Sequence, residues 1–336
     1  GVNLEHILVT GGAGYVGSGL LRELLSENYR VTCVDNLMFG GESLLDIWHN
    51  ENFNFIKCDV NNHNSFNEIL IENKFNAVIH LAAIVGDPAC KLYSDLALKT
   101  NRDSTKWLLD KCKEIGISKF IFASTCSNYG KMEDSESYVD ENSKLAPVSL
   151  YAELKVEFEK YMLNEIEKTD EFIPTSLRFS TVYGLSPRMR FDLTVNEFTK
   201  DLAMGRELII FGEKFWRPYC HVKDFSNAFI TVLRASKEKV AYNVFNVGDT
   251  SENYTKKMLV EEIRKALPEA NIKYVDKNED PRDYRVNSEK IKRELGFEIT
   301  MRVPDGIEEV KRIVQEGVIQ DPEDQRYYNI PHEHQD

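Results

Sequence analysis

Short apolar runs alternate with amphipathic stretches through the first half of the chain, and that rhythm limits the fold more than any other feature of the sequence. HILVT precedes a helical stretch from about Tyr15, YRVTCV one near Ser43 to Asn50, and FNFIKCDV one from about His63. FNAVIHLAA, a helix near Ser94 to Ile115, KFIFAST, a helix near Ser149 to Lys168 and FIPTSLRF continue the series. Strands this rich in Val, Ile and Phe, separated by helices, suit a parallel sheet buried on both faces. Right-handed crossovers then make the sheet doubly wound.

After about Ser180 the rhythm degrades, and Gly184, Pro187, Gly205, Gly212 and Pro218 punctuate shorter elements. The expected organisation is a nucleotide-binding domain over residues 1–180, a smaller α+β lobe over 181–319 and a loose charged tail over 320–336. The apolar run AYNVFNV at 241–247 is able to return to the main sheet. A chain of 336 residues is long enough for one large or two interlocked domains.

Composition removes several classes. Lys plus Arg is 42 against 55 Asp plus Glu, a net charge of −13, the wrong sign for a globally basic nucleic-acid binder. No apolar stretch is long enough for a membrane span, and the start lacks the basic segment and apolar run of a secretory signal. A soluble, cytoplasmic protein without nucleic-acid or membrane partners is expected, with Gly1 set aside as a processing scar. The cysteines Cys33, Cys58, Cys90, Cys112, Cys126 and Cys220 are widely spread with no CxxC pair, so they read as reduced thiols rather than a metal or redox motif. His332 and His334 lie in the polar terminal segment, and no metal is expected.

TGGAGYVG follows the first strand and opens the first helix, with glycines at 11, 14 and 17. Glycines permit a tight turn and a close approach of backbone N–H groups to a pyrophosphate, while the helix N-terminus offers partial positive charge. The fold expected on this reading is a Rossmann-type α/β sheet. Asp35 ends the second strand, where a carboxylate binds both ribose hydroxyls and repels a 2′-phosphate, favouring NAD over NADP; its plain alternative is a turn cap. Asp59, closing the third strand, sits where an adenine amino group needs an acceptor, or caps a strand end. His80 to Ala83 ends the fourth strand with small residues that leave room for a flat ligand or pack a helix. Candidate cofactor-binding residues are Gly11, Gly14, Tyr15, Val16, Gly17, Asp35, Asn36, Asp59, Val60, Leu81, Ala82, Ala83, Asn101 and Ser124, with Tyr151 and Lys155 from the catalytic set.

In SLYAELKVEFEK, Tyr151 and Lys155 stand four residues apart on a helical segment and therefore on one face. An ammonium near a phenol stabilises phenolate and lowers its pKa from about 10 towards neutrality, which makes Tyr151 a usable base. An ordinary amphipathic helix carries the same spacing. The preceding strand ends in Ala123, Ser124 and Thr125, and strand ends carry the ligands in open α/β sheets.

TGGAGYVG, Asp35, Asp59, HLAA, STCSNYG, YAELK, LRFSTVYG, RPYCHVKD and the late PRDY together resemble the extended short-chain dehydrogenase/reductase family, specifically its nucleotide-sugar epimerases and dehydratases. The resemblance runs from about His6 to Lys311. It implies that Thr125, Tyr151 and Lys155 form the catalytic set, that Tyr151 takes the C4 hydroxyl proton of a nucleotide-diphosphate sugar, and that NAD takes the hydride. The related 4,6-dehydratases carry an acidic residue just after the Thr; Cys126 and Ser127 stand there instead, and neither is a good acid at neutral pH. Relatives that epimerise at C3 or C5 place a cysteine at the position matching Ser127, one residue later than Cys126, so Cys126 reads as a packing residue. A sugar-nucleotide 4-epimerase is expected. Two segments, LAAIVGDPAC and VYGLSPRMRFDLTVNEF, look more like an NAD-dependent 4-dehydrogenase of a GDP-linked heptose for capsule synthesis, and a catalytically silent NAD-binding protein is a third reading.

An acidic protein must bind a diphosphate with local cations. Arg217 and Arg282 match the family's phosphate-binding arginines, and Arg188 and Arg190 are further candidates. Thr181 replaces the Asn that helps hold the diphosphate in relatives, and Val195 and Asn196 are expected to line the nucleotide base. The two long helices occupy places that pair across a two-fold axis in relatives, which implies a homodimer.

Overall fold

The computed structural model describes residues 3–134, 136–277 and 282–334. Gly1 and the Pro281 of PRDY lie outside them. The strands in chain order are β1 (His6–Thr10), β2 (Arg30–Asp35), β3 (Phe53–Lys57), β4 (Ala77–His80), β5 (Lys119–Thr125), β6 (Ile173–Phe179), β7 (Thr181–Tyr183), β8 (Glu207–Phe211), β9 (Trp216–His221), β10 (Asn243–Val247), β11 (Asn253–Thr255) and β12 (Asn271–Val275). Seven of them form one sheet in the order β10-β6-β5-β4-β1-β2-β3. β1 pairs in parallel with both β2 and β4, and the chain reverses its direction of winding between β1 and β4. That switch point is where open α/β sheets leave a crevice at their carboxyl ends. The sequence reason is plain: β1 and β4 are buried along their whole length, as strands covered on both faces by helices must be.

The chain divides into two units. The first comprises Gly1–Thr125, Ser149–Arg178 and Ser226–Phe245, and one of its cores joins Leu8, Val34, Val78, Phe120 and Phe122 to the helical Phe66, Leu108 and Phe158. AYNVFNV supplies β10, the edge strand beside β6. The stretch expected as one helix over Ser94 to Ile115 is interrupted: Leu98–Ser104 is a π-helical segment between Ser94–Ala97 and Thr105–Ile115. The side chains of that segment bond outward to the loops after β3 and β4, and an inserted residue is what turns them there.

The second unit comprises Cys126–Val148, Phe179–Phe225 and Asn246–Asp336. It holds a three-stranded sheet, β11-β9-β7, and a two-stranded sheet, β12-β8, around Tyr183, Val195, Leu202, Leu259, Ile263 and Ile307. The terminal segment expected to be a loose tail is packed. Tyr328 is buried, Tyr327 meets Phe191 edge-on, and Lys200 Nζ donates to Glu323 at 2.7 Å and to the Tyr328 hydroxyl at 3.0 Å. Its aromatics supply the apolar area that the charge pattern concealed. Among the described residues no helix is long and apolar enough to cross a membrane, and no group of three or more His, Cys, Asp and Glu side chains is placed to hold a metal. All six cysteines are buried free thiols.

Candidate active site

The glycine turn is shaped by close backbone approach. Gly11 has φ +73°, and a Cβ there would lie 2.8 Å from the Ala82 nitrogen; a Cβ at Gly17 would lie 2.4 Å from the Gly11 carbonyl oxygen. Both positions exclude any larger residue. Gly14 differs, since its Cβ would meet only ordinary contact at 3.5 Å, so its outer side is open to a ligand. Gly14 is also the N-cap of the Tyr15–Ser26 helix, with no capping side chain and no acidic residue in the first turn. The positive end of that helix dipole is therefore not neutralised by a side chain of its own first turn, as an anion-binding turn requires.

Asp35 fixes the turn from the next strand. Its Oδ2 accepts from the Ala13 N–H at 3.0 Å and its Oδ1 from the Leu37 N–H at 2.8 Å. Burial raises its carboxyl above the usual range, against the pull of those two amides. Each oxygen keeps a second lone pair for a ribose hydroxyl, so the capping and binding readings of Asp35 are compatible. Asn36 is exposed and its Oδ1 accepts from the Met38 N–H at 3.0 Å. Asp59 is exposed, with Oδ1 accepting from the Asn61 N–H at 2.8 Å, and Val60 is half-buried beside it. Tyr15 is buried and Val16 half-buried at the helix start. A glycine cradle, an uncapped helix end and a carboxylate at the second strand end fit a dinucleotide.

At the β4 end the backbone is held by the first residues of TGGAGYVG and HLAA, to which the motifs assign no role. Thr10 Oγ1 accepts from the N–H groups of Leu81 and Ala82 at 3.0 and 3.1 Å, and it lies 2.7 Å from His80 Nδ1. With both acceptor sites of Thr10 used, its own proton must go to Nδ1, and His80 is the Nε2–H tautomer donating to Thr105 Oγ1 at 3.2 Å. Burial lowers the His80 pKa to about 3, with Lys155 adding to the effect, so the ring stays neutral. Leu81, Ala82 and Ala83 are half-buried. Asn101, expected to bind cofactor, spends its amide on Ile84, accepting from its N–H and donating to its carbonyl, both at 2.9 Å. A Thr directly before a Gly-Gly turn and a His ending an apolar strand are the signals the sequence offers for this chain of bonds.

Thr125 ends β5, half-exposed, after the buried Ser124. Tyr151 and Lys155 lie on the Leu150–Lys160 helix, which starts at Ser149, whose Oγ accepts from the Ala152 N–H at 3.2 Å and donates to Asp87 at 2.7 Å. Lys155 is only 7% exposed; its Nζ donates to the Ala123 carbonyl at 2.9 Å and stands 5.5 Å from the Tyr151 ring centre and 4.8 Å from that of Phe122. Burial lowers its pKa to about 8, so the ammonium persists at neutral pH. Tyr151 is half-buried. The structure thus brings the helix pair and the end of β5 together, and the β5 carbonyl sets where the ammonium sits. The other side of the helix is anchored by a buried ion pair: Arg178 Nε donates to Glu159 at 3.1 and 3.2 Å, and Ser176 Oγ to the same carboxylate at 2.9 Å.

In the second unit, Cys126 is buried in a cluster with Tyr129, Met132, Tyr284 and Val286, and Ser127 is half-buried in the 3-10 turn Cys126–Tyr129. Thr181 is half-buried on β7, opposite Tyr219 of β9. Arg217 and Arg282 are neighbours, the Arg217 guanidinium donating to the Arg282 carbonyl and to that of Trp216. Arg188 and Arg190 are likewise turned to internal partners, and unlike the half-buried Arg217 and Arg282 they are buried. Arg188 donates to Asn329 Oδ1 at 2.5 Å and to the Arg326 carbonyl at 3.4 Å, and Arg190 to Asp192 at 2.8 Å. Val195 and Asn196 are fully buried: Val195 packs in the core, and Asn196 joins the backbone of Gly184 to that of Arg190.

Known proteins share this outline. Residues 7–248 match the model of the NAD dependent epimerase/dehydratase family. A probable UDP-arabinose 4-epimerase of Oryza sativa subsp. japonica is 29% identical over 311 residues, covering 84% of this chain and 74% of the relative. The crystal structure of UDP-glucose 4-epimerase from Thermotoga maritima with UDP-glucose superposes with a TM-score of 0.81 at 26% identity, covering 93% of this chain and 99% of that one. UDP-glucuronic acid 4-epimerase from Bacillus cereus, in complex with UDP-glucuronic acid and NAD, gives 0.79 at 26% identity over the same shares.

Proposed function

Since the chain belongs to the NAD dependent epimerase/dehydratase family, we propose that it inverts C4 of a nucleotide-diphosphate sugar, with a UDP-linked sugar as the substrate its relatives favour. NAD, when bound, supplies a reversible hydride acceptor. The glycine turn, the N-terminus of the Tyr15–Ser26 helix and Asp35 hold it. Tyr151 takes the proton of the C4 hydroxyl onto its phenolic oxygen and later returns it, and the buried Lys155 ammonium favours the phenolate. Thr125 orients the same substrate oxygen. Arg217 and Arg282 hold the diphosphate, a role supported by their adjacency and by their partial exposure, where Arg188 and Arg190 are buried. The helices Thr105–Ile115 and Leu150–Lys160 form the contact of a homodimer.

The observation that carries this reading is the buried ammonium held by the β5 carbonyl beside the Tyr151 ring. The residue after Thr125 favours redox-neutral inversion over dehydration, since the Cys126 thiol, packed among aromatics, is no acid for expelling a hydroxyl. Incubation with UDP-, GDP-, CDP- and dTDP-sugars, read by mass and NMR, tests it. Unchanged mass with an inverted C4 signal is expected. Loss of two mass units with stoichiometric NADH replaces the epimerase by a dehydrogenase, and loss of water replaces it by a dehydratase.

A further inference from the structure

The π-helical segment Leu98–Ser104 and the residue after it carry two rows of buried polar side chains, Thr100 with Ser104 and Asn101 with Thr105. Within each row the members are four residues apart and share a side of the helix. The first row reaches the loop after β3. Ser104 Oγ donates to Asn61 Oδ1 at 2.6 Å, Asn61 Nδ2 donates to Thr100 Oγ1 at 2.9 Å, and His63 Nε2 lies 2.9 Å from Ser104 Oγ. Asn61 in turn donates its N–H to Asp59. The second row reaches the end of β4 through Asn101 on Ile84 and Thr105 on His80, and from His80 through Thr10 to the amides of Leu81 and Ala82.

One short segment therefore grips both loops that flank the dinucleotide site beyond the glycine turn. We infer that Thr100, Ser104, Asn61 and Thr105 are positioning residues that retain the cofactor, the first row acting on its adenine half through the Asp59 loop and the second on its nicotinamide half through the β4 loop. The inference rests on the proposed function, and it gives that function something it needs. A redox-neutral inversion uses one dinucleotide for both halves of the reaction, so a site that lets it go between them releases a ketone instead of the epimer. Buried, hydrogen-bonded hydroxyls hold such loops more firmly than exposed ones, because opening strands them without partners.

The experiment is a titration of NAD and of AMP into the full chain and its variants, by calorimetry, alongside steady-state kinetics at saturating NAD. Ser104→Ala is expected to weaken NAD and AMP alike by about tenfold. Thr105→Val, close to isosteric, is expected to weaken NAD by a similar factor and to leave AMP unchanged. Ser104→Thr, which keeps the hydroxyl, restores wild-type binding, and kcat of Ser104→Ala at saturating NAD stays within about twofold of wild type. Wild-type NAD and AMP affinity in both Ser104→Ala and Thr105→Val overturns the inference, as does an equal loss in Ser104→Thr and Ser104→Ala. If the wild-type chain itself does not bind NAD, it is the proposed function that fails.

Discussion

The two units place their polar groups by different means. In the first, the groups that matter lie at the carboxyl ends of parallel strands or one helical turn away: Asp35 at the end of β2, Asp59 after β3, His80 at the end of β4, Thr125 at the end of β5, and Lys155 reaching back to the Ala123 carbonyl. A strand fixes position and direction residue by residue, so a short motif there is also a location. In the second unit the candidate cations lie on loops and short strands, and the nearest acceptor decides their direction. Arg188 and Arg190, two residues apart on one loop, bond to the terminal segment and to Asp192, while Arg217 bonds to the carbonyls of Trp216 and Arg282. A motif on a loop names a charge without saying where it goes.

The largest expected effect tests the strand-end half of that contrast. Tyr151→Phe is expected to lower kcat by about 10³-fold or more, because the proton acceptor is removed. Calorimetric affinity for NAD is expected to stay within about threefold, since the phenol holds a proton and not the pyrophosphate. Wild-type turnover by this variant removes Tyr151 from the chemistry. Lost NAD binding makes it structural.

A smaller effect separates the two kinds of arginine in the second unit. Arg217→Ala is expected to raise KM for the nucleotide sugar by about 10- to 100-fold with little change in NAD affinity, the loss expected of a charge-assisted contact to phosphate. Arg188→Ala is expected to leave KM nearly unchanged and to lower stability by about 1–3 kcal/mol, because the Asn329 amide oxygen and the Arg326 carbonyl lose their donor. Thermal melting and substrate kinetics on both variants decide it. The reverse pattern would return Arg188 to the substrate site.

The same contrast explains what can be read from the chain alone. The alternation of apolar runs specifies the doubly wound sheet because burial on both faces leaves few other solutions, and the glycine turn is legible because Gly11 and Gly17 are packed against backbone that admits no Cβ. The pairing of Lys155 with Tyr151 is legible from helical spacing. The Thr10–His80–Thr105 chain is not, since it joins residues 25 to 70 positions apart through bonds with no sequence period. The packing of the terminal segment is hidden for a similar reason: a stretch dense in charge reads as solvated until Lys200 and Arg206 are seen to meet Glu323. Arg188, Val195 and Asn196 carry the same lesson, as residue types suited to a ligand that the fold spends on itself.

The subtlest prediction concerns the one proton that couples the strand-end site to pH. Burial holds Lys155 at about 8, below the value near 10.4 of an unfolded chain, so the folded state binds this proton less readily than the unfolded state does. Between pH 8 and about 10 the unfolded chain carries the extra proton, and stability from this group rises with pH there; below pH 8 its full penalty is present. Activity moves the other way, since the ammonium that supports Tyr151 is lost through the same interval. A plot of kcat/KM against pH is expected to fall above about 8, while Lys155→Met, which carries no proton to lose, flattens this group's share of the stability profile between pH 8 and 10. A wild-type rate that holds to pH 10 would mean that the lysine keeps its proton throughout, and that the Ala123 carbonyl and the aromatic faces of Phe122 and Tyr151 stabilise the charge more than burial opposes it.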